Sequence, residues 1–229
     1  MCGRYSFAHL STEVEKRFKI QVDGNTYIAT YNAAPTQKLA VITNFDADKL
    51  SFFHWGLIPS WAQDERMASQ MINARTETLE EKPSFQSAFK TKRCLIPADG
   101  FYEWKKNGNQ KTPHFIRLKT KEIFSFAGLW EEWKSKEGEL RRTFTIITTP
   151  ANDLMKPIHD RMPAILPRNL EKEWLQNPDP RDLNKMLTPF ESRKMEAFEV
   201  SSQVNKVINN HPGLIQAFSG GQQAISFNE

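Results

Sequence analysis

Phe101-Tyr102-Glu103-Trp104-Lys105, then Asn107-Gly108, then His114-Phe115-Ile116-Arg117-Leu118 is the stretch from which the fold is read. Two aromatic and β-branched runs flank an Asn-Gly pair, the strongest short-range hairpin signal. On the N-terminal side, residues 39–43 and 50–55 read as strands joined by the polar turn Asp46-Ala47-Asp48. On the C-terminal side, residues 123–129 and 143–148 are further β runs. Helical patterns are shorter. Thr12-Glu13-Val14-Glu15 has the form of a capping box, with Val14 and Phe18 one turn apart. Residues 84–89, 152–155, 170–175 and 190–196 also read as helical. Sequential hairpins with helices outside predict an α+β fold, mostly antiparallel. No regular alternation of strand and helix supports a doubly wound sheet.

The chain has 229 residues, which favours one domain over residues 1–229. No apolar run approaches the roughly 18 residues of a membrane span, and no secretory signal or lipidation motif is expected. Thirty-one Lys and Arg against 27 Asp and Glu leave a net charge of +4. That is compatible with a nucleic-acid partner and equally with many other enzymes. Two cysteines, Cys2 and Cys94, exclude a disulfide scaffold, and free thiols in a reducing cytoplasm are expected. Paired ligands at zinc spacing are absent, so neither a metal nor a cofactor is expected.

Cys2 is informative through its position. Methionine removal is favoured before a small side chain, and it would leave a terminal cysteine with its amine and thiol two carbons apart. The amine has an ordinary pKa of about 7.7–8.0 and the thiol one of about 8.5, so both have reactive forms near neutrality. An aldehyde condenses with such an amine, and the thiol can close on the same carbon to form a thiazolidine. The competing reading is a merely tolerated thiol near a chain end.

Three further segments carry chemistry. Asn73-Ala74-Arg75-Thr76-Glu77, if extended, sets Asn73, Arg75 and Glu77 on one face, suited to a phosphate and a polarised carbonyl. A solvated salt-bridged strand end is the alternative. Glu103 lies between Tyr102 and Trp104, where desolvation would raise its pKa and suit it to proton transfer. A surface Glu alternating with inward aromatics reads equally well. Ile158-His159-Asp160-Arg161-Met162-Pro163 makes His159 the proton carrier of choice over His9, His54, His114 and His211. The Trp55-Gly56-Leu57-Ile58-Pro59-Ser60-Trp61 and Phe126-Ala127-Gly128-Leu129-Trp130 runs read mainly as core.

These segments together resemble the SOS response-associated peptidase (SRAP) family. The resemblance starts at Met1-Cys2-Gly3-Arg4 and takes in Tyr31-Asn32-Ala33-Ala34-Pro35, Trp-Gly-Leu-Ile-Pro and Asn-Ala-Arg-Thr-Glu. It continues through Cys94-Leu-Ile-Pro-Ala-Asp-Gly-Phe-Tyr-Glu-Trp104, Phe-Ala-Gly-Leu-Trp, Ile-His-Asp-Arg-Met-Pro and Val204-Asn205. No one motif suffices, but the ordered set spans essentially the whole chain.

The resemblance implies a distorted, barrel-like antiparallel sheet with flanking helices. It also implies a sensor of abasic sites in single-stranded DNA that crosslinks covalently through Cys2 once Met1 is removed, within a DNA damage response. By position, Asn73 orients the terminal cysteine, Glu103 shuttles protons and His159 assists at the sugar. Arg4, Asn32, Arg75, Thr148 and Arg161 fall where the family contacts phosphates; Pro35 and Trp104 fall where it shapes the channel or stacks bases. A monomer in the cytoplasm, at the nucleoid or in the nucleus according to source, acting beside replication or repair machinery, is the accompanying expectation. The residues alone leave open a cysteine peptidase built on Cys2, and a non-catalytic single-strand-binding module.

Overall fold

The computed structural model describes residues 2–24 and 26–218. In chain order its elements are β1 (Tyr5–Phe7), α1 (Ser11–Phe18), β2 (Thr30–Ala33), β3 (Lys38–Thr43), β4 (Ser51–Trp55), β5 (Asn73–Arg75), α2 (Pro83–Thr91), β6 (Arg93–Ala98), β7 (Gly100–Asn107) and β8 (Gln110–Leu118). They continue with β9 (Phe124–Lys134), β10 (Leu140–Pro150), β11 (Arg161–Pro163), β12 (Ile165–Leu166), α3 (Glu171–Gln176), α4 (Pro180–Met186) and β13 (Met195–Glu199).

Five strands close on themselves in the order β10-β4-β3-β6-β9, with β9 pairing back to β10. This small barrel is antiparallel except at β10, which runs parallel to β4 and to β5. A second antiparallel sheet, β13-β8-β7-β1-β2, packs beside it. Tyr5 of β1 joins the two, its ring 5.3 Å from Trp55 and 5.9 Å from Phe126 in edge-on contacts. The mostly antiparallel α+β sheet read from the hairpins, and the barrel implied by the family resemblance, are the observed architecture.

The β7–β8 hairpin lies where it was expected, with its turn one residue later. Asn107 pairs with Gln110, so Gly108-Asn109 are the central residues, and only Gly108 has positive φ, +59°. Gly at the first central position is the type II′ arrangement, which glycine adopts without a Cβ penalty. Both faces of this sheet are covered. Phe101 and Ile116 face the barrel, while Tyr102 and Phe115 face a separate cluster with Val200, Val204 and Leu214.

Several local expectations are corrected. The cap of α1 is Leu10, with the Glu13 carboxylate accepting from the Leu10 N–H at 2.9 Å, two residues before the expected Thr12–Glu15 box. Residues 152–155 are turns: the Asn152 side chain accepts from the Met155 N–H at 3.0 Å, competing with helix continuation. Residues 190–196 hold a short 3-10 turn and then enter β13, because the free edge of β8 offers pairing from Met195 to Glu199. Helix α4 is an element the sequence reading does not predict, although Asp179 caps it and Pro180 opens it. Buried Arg93 fastens α2 and α3 to the barrel, donating to the carbonyls of Phe89, Lys90, Trp174, Leu175 and Asn177. These are helix C-terminal carbonyls that would otherwise lack partners.

Candidate active site

Four separate segments converge where β1, β5 and β7 meet the loop before β11. Cys2, immediately before β1, is fully buried. Its carbonyl accepts from Asn73 Nδ2 at 2.8 Å, and its Sγ lies 3.8 Å from the Arg4 carbonyl. Asn73 is brought there by β5, whose parallel register sets Asn73 beside Ile146, Ala74 beside Ile147 and Arg75 beside Thr148. Glu103, on β7, has its side chain on the same face as Phe101, directed away from Tyr102 and Trp104, and is 3% exposed.

Burial raises the Glu103 pKa from its ordinary value, and the nearby His159 charge acts in the opposite direction. The Cys2 thiol is pushed up first by burial and then by the negative charge of Glu103. These couplings link Cys2, Glu103 and His159. His159 Nδ1 is 3.0 Å from the Arg161 N–H and 2.9 Å from Asp160 Oδ1. Nδ1 accepts the first contact when it carries no proton and donates to the second when it does.

Two arginines flank this group. Arg4 Nη1 donates to Asn32 Oδ1 at 2.7 Å and to the Val204 carbonyl at 2.8 Å. Arg161 grips Glu77 with both terminal nitrogens and donates to the Thr148 carbonyl at 2.6 Å. The Arg161 guanidinium holds the Glu77 carboxyl down to about 2. Arg4 Nε, Arg161 Nε and Asn73 Oδ1 are buried without a hydrogen-bond partner among the described residues. Native interiors leave few such bonds unmade, and unmade ones mark sites of strain, chemistry or missing ligand.

The expected contact residues divide accordingly. Arg75 is exposed, and Trp104 is half-buried with its Nε1 donating to Asn205 Oδ1 at 2.8 Å. Pro35 is half-buried after β2. Asn32 and Thr148, also expected at phosphates, are buried and hydrogen-bonded within the protein. Asn32 is 1% exposed and its amide donates to the carbonyls of Val204, Lys206 and Asn209. Thr148 is fully buried beneath Arg161, its Oγ1 3.4 Å from the Ala74 carbonyl. The Met1 expectations lie outside the described residues.

His114, which carries no local signal in the sequence, is a neighbour of Glu103. The hairpin register places it directly across from Glu103, and Glu199 of β13 lies on its other side. Directly opposed residues share a face. The signal was present in the Gly108-Asn109 turn: a turn centred one residue earlier pairs Glu103 with Thr112 instead. Trp55, Phe126 and Trp130 are core, whereas Trp61 is 57% exposed. Among the described residues no helix is long and apolar enough to cross a membrane.

The SOS response associated peptidase (SRAP) family model matches residues 1–207. The "Abasic site processing protein YoqW" of Bacillus subtilis (strain 168) is 47% identical, over 95% of this chain and 100% of its own. The "Abasic site processing protein HMCES" of Xenopus tropicalis is 32% identical, over 85% of this chain and 68% of its own. A crystal structure of a Bacteroides thetaiotaomicron protein superposes with a TM-score of 0.87 at 33% identity, over 95% of this chain and all of that one. With the family model running from Cys2 through Asn73, Glu103 and His159 to Asn205, the chain belongs to the SRAP family.

Proposed function

We propose that this protein processes abasic sites in single-stranded DNA by covalent capture, one domain over residues 1–229 carrying the activity. Hydrolysis of the Met1–Cys2 bond consumes one water and frees the Cys2 α-amine. That amine adds to the C1′ aldehyde of the ring-opened abasic sugar, and loss of water leaves a Schiff base. The thiol sulfur then bonds to C1′ of the protonated Schiff base while its proton passes to Glu103, closing a thiazolidine.

The observation that carries this reading is the convergence on Cys2 of an amide, a buried carboxyl and an imidazole from three distant segments. The thiol is held protonated by burial and by Glu103, so the amine is the first nucleophile. Glu103, with its pKa raised by burial, gives a proton to the departing water and takes one from the thiol. Asn73 fixes the Cys2 carbonyl through Nδ2, and its buried Oδ1 is the acceptor for the freed amine. His159, half-buried beside the site, serves the sugar hydroxyl. Arg4, Arg75 and Arg161 face the phosphodiester backbone, and a +4 total suits a groove tracking a few phosphates. Single-stranded substrate avoids the cost of unstacking a duplex nucleotide.

The test is incubation of processed protein with abasic single-stranded DNA under denaturing readout. A heat-stable adduct of one protein per strand is expected, absent in Cys2→Ala. An adduct that persists in Cys2→Ala, or active protein that retains Met1 by mass spectrometry, overturns the mechanism.

A further inference from the structure

The turn Lys206–Asn209 carries two aliphatic side chains at its tip. The Asn209 N–H donates to the Lys206 carbonyl at 3.1 Å, so Val207 and Ile208 are the central residues. Such positions ordinarily go to Gly, Pro, Asn, Asp or Ser. Here Val207 is 43% and Ile208 89% exposed. The turn is also held firmly. Asn32 Nδ2 donates to the carbonyls at both of its ends, 3.1 Å to Lys206 and 2.8 Å to Asn209. Asn209 Nδ2 donates to the Gln203 carbonyl, and the Tyr31 N–H donates to Asn210 Oδ1. An exposed apolar tip on a pinned turn costs stability and solubility unless something covers it.

The surroundings point to the partner. Residues 104–113 contain Lys105, Lys106 and Lys111 and no acid; residues 200–218 contain Lys206 and no acid. The first stretch is the free end of the β7–β8 ribbon, beyond the last pairing to β13 at His114. The Trp104–Asn205 hydrogen bond ties it to the turn. Among the described residues none of these four lysines is in an ion pair. Asn32 links the turn to Arg4, two residues from Cys2. An apolar tip framed by unpaired cations fits a nucleic acid, with phosphates on the lysines and a base face on the tip.

We propose that Val207 and Ile208 form a wedge that packs against a base next to the abasic nucleotide. This rests on the abasic-site reading above. A missing base leaves its neighbours without a stacking partner, and a rigid aliphatic tip covers one uncovered face. The wedge therefore adds recognition of the lesion that the covalent chemistry does not supply.

The test uses the full chain and single-stranded DNA bearing a tetrahydrofuran abasic analogue, which has no aldehyde, with 2-aminopurine at either flanking position. Wild-type binding is expected to change the emission at one of the two positions. Ile208→Ser should lose that change and bind about fivefold to tenfold more weakly. Its loss on an intact strand of the same length should be under about twofold, and Ile208→Met should restore both signals. With authentic abasic DNA at saturation, Ile208→Ser should still form the adduct. Equal affinity and emission in wild type and Ile208→Ser overturn the wedge, as does an equal loss on intact DNA. A changed sedimentation profile with unchanged DNA binding also overturns it, assigning the tip to a second copy. Normal analogue binding without any adduct on authentic DNA instead sinks the capture reading and leaves the wedge standing.

Discussion

Cys2 and Cys94 are equally buried, both at 0% exposure, and both thiols are pushed above their ordinary pKa. Their surroundings differ. Around Cys94 the cause is burial alone: it lies in β6 between β3 and β9, opposite Gly128, in the barrel wall. Around Cys2 the interior is polar, with Asn73 on its carbonyl and the Glu103 charge acting on its thiol. On the capture proposal, accessibility does not separate the structural Cys94 thiol from the reactive Cys2 thiol; the neighbours do. Cys2→Ala should reduce adduct formation to background with little change in Tm. Cys94→Ala should keep the adduct and lose about 1–2 kcal/mol to an incompletely filled site. Crosslinking gels and thermal melts on both variants check the contrast, and loss of adduct in Cys94→Ala breaks it.

Glu103 sharpens the same contrast by linking activity to stability. A carboxyl whose folded pKa is raised stabilises the fold fully only below its unfolded value of about 4.3, and that contribution is lost as pH rises through the folded value. The buried carboxylate is thus a burden at neutral pH. Glu103→Gln should slow adduct formation by about 10²- to 10⁴-fold, the usual range for a lost proton shuttle. It should also melt above wild type near pH 8, with the gap closing toward pH 5. Melting curves across pH test this; a gap that widens on acidification would show the sign to be wrong.

Much of this was legible in the sequence, for definite reasons. The β7–β8 hairpin and the β3–β4 pair were readable because long alternating runs border recognisable turns. Strands β1, β5, β11 and β12 have two or three residues each, too few to display a period. The helix expected over residues 190–196 runs into the start of β13, whose identity comes from the edge of β8, a partner some 80 residues earlier in the chain. At the site, Cys2, Asn73, Glu103 and His159 stood out by type and by family resemblance, and the structure brings them together. The burial of Asn32 and Thr148 was not legible, because burial of a polar side chain beside an arginine leaves no local mark. His114 was missed because a one-residue shift in a turn changes every cross-strand neighbour.

The barrel side of the comparison can be stressed without touching the site. A Cβ on Gly128 would sit 2.1 Å from Ile96 Cδ1, 2.8 Å from the Thr145 carbonyl and 3.0 Å from Cys94 Sγ. Backbone on one side and a packed wall on the other leave little room to yield. Gly128→Ala should cost about 1–3 kcal/mol, several degrees in Tm, by overpacking. Adduct yield per folded molecule should stay at the wild-type level. A folded variant with reduced crosslinking would show that the barrel wall and the Cys2 pocket are coupled.

The smallest expected effect concerns Arg75 and Arg161, set beside Thr148 and Pro150 on β10, where neighbours again decide. Arg75 is exposed, while Arg161 is buried with its charge answered by Glu77. A phosphate reaching Arg161 must therefore displace a carboxylate that the guanidinium already holds ionised down to about pH 2. The pair stabilises the fold above the unfolded carboxyl value and loses that contribution as pH falls toward 2. Half-exposure of Glu77 keeps the contribution small. Glu77→Gln keeps one hydrogen bond to Arg161 and releases its charge. Binding to the uncrosslinkable analogue should tighten by about twofold to fivefold, and the salt dependence should steepen by about 0.7 in log–log slope, one added phosphate contact on a single strand. Arg75→Ala should flatten that slope by a similar amount. If Glu77→Gln weakens binding instead, the carboxylate is positioning Arg161 rather than occupying it, and the distinction between a paired and an open arginine no longer separates support from contact.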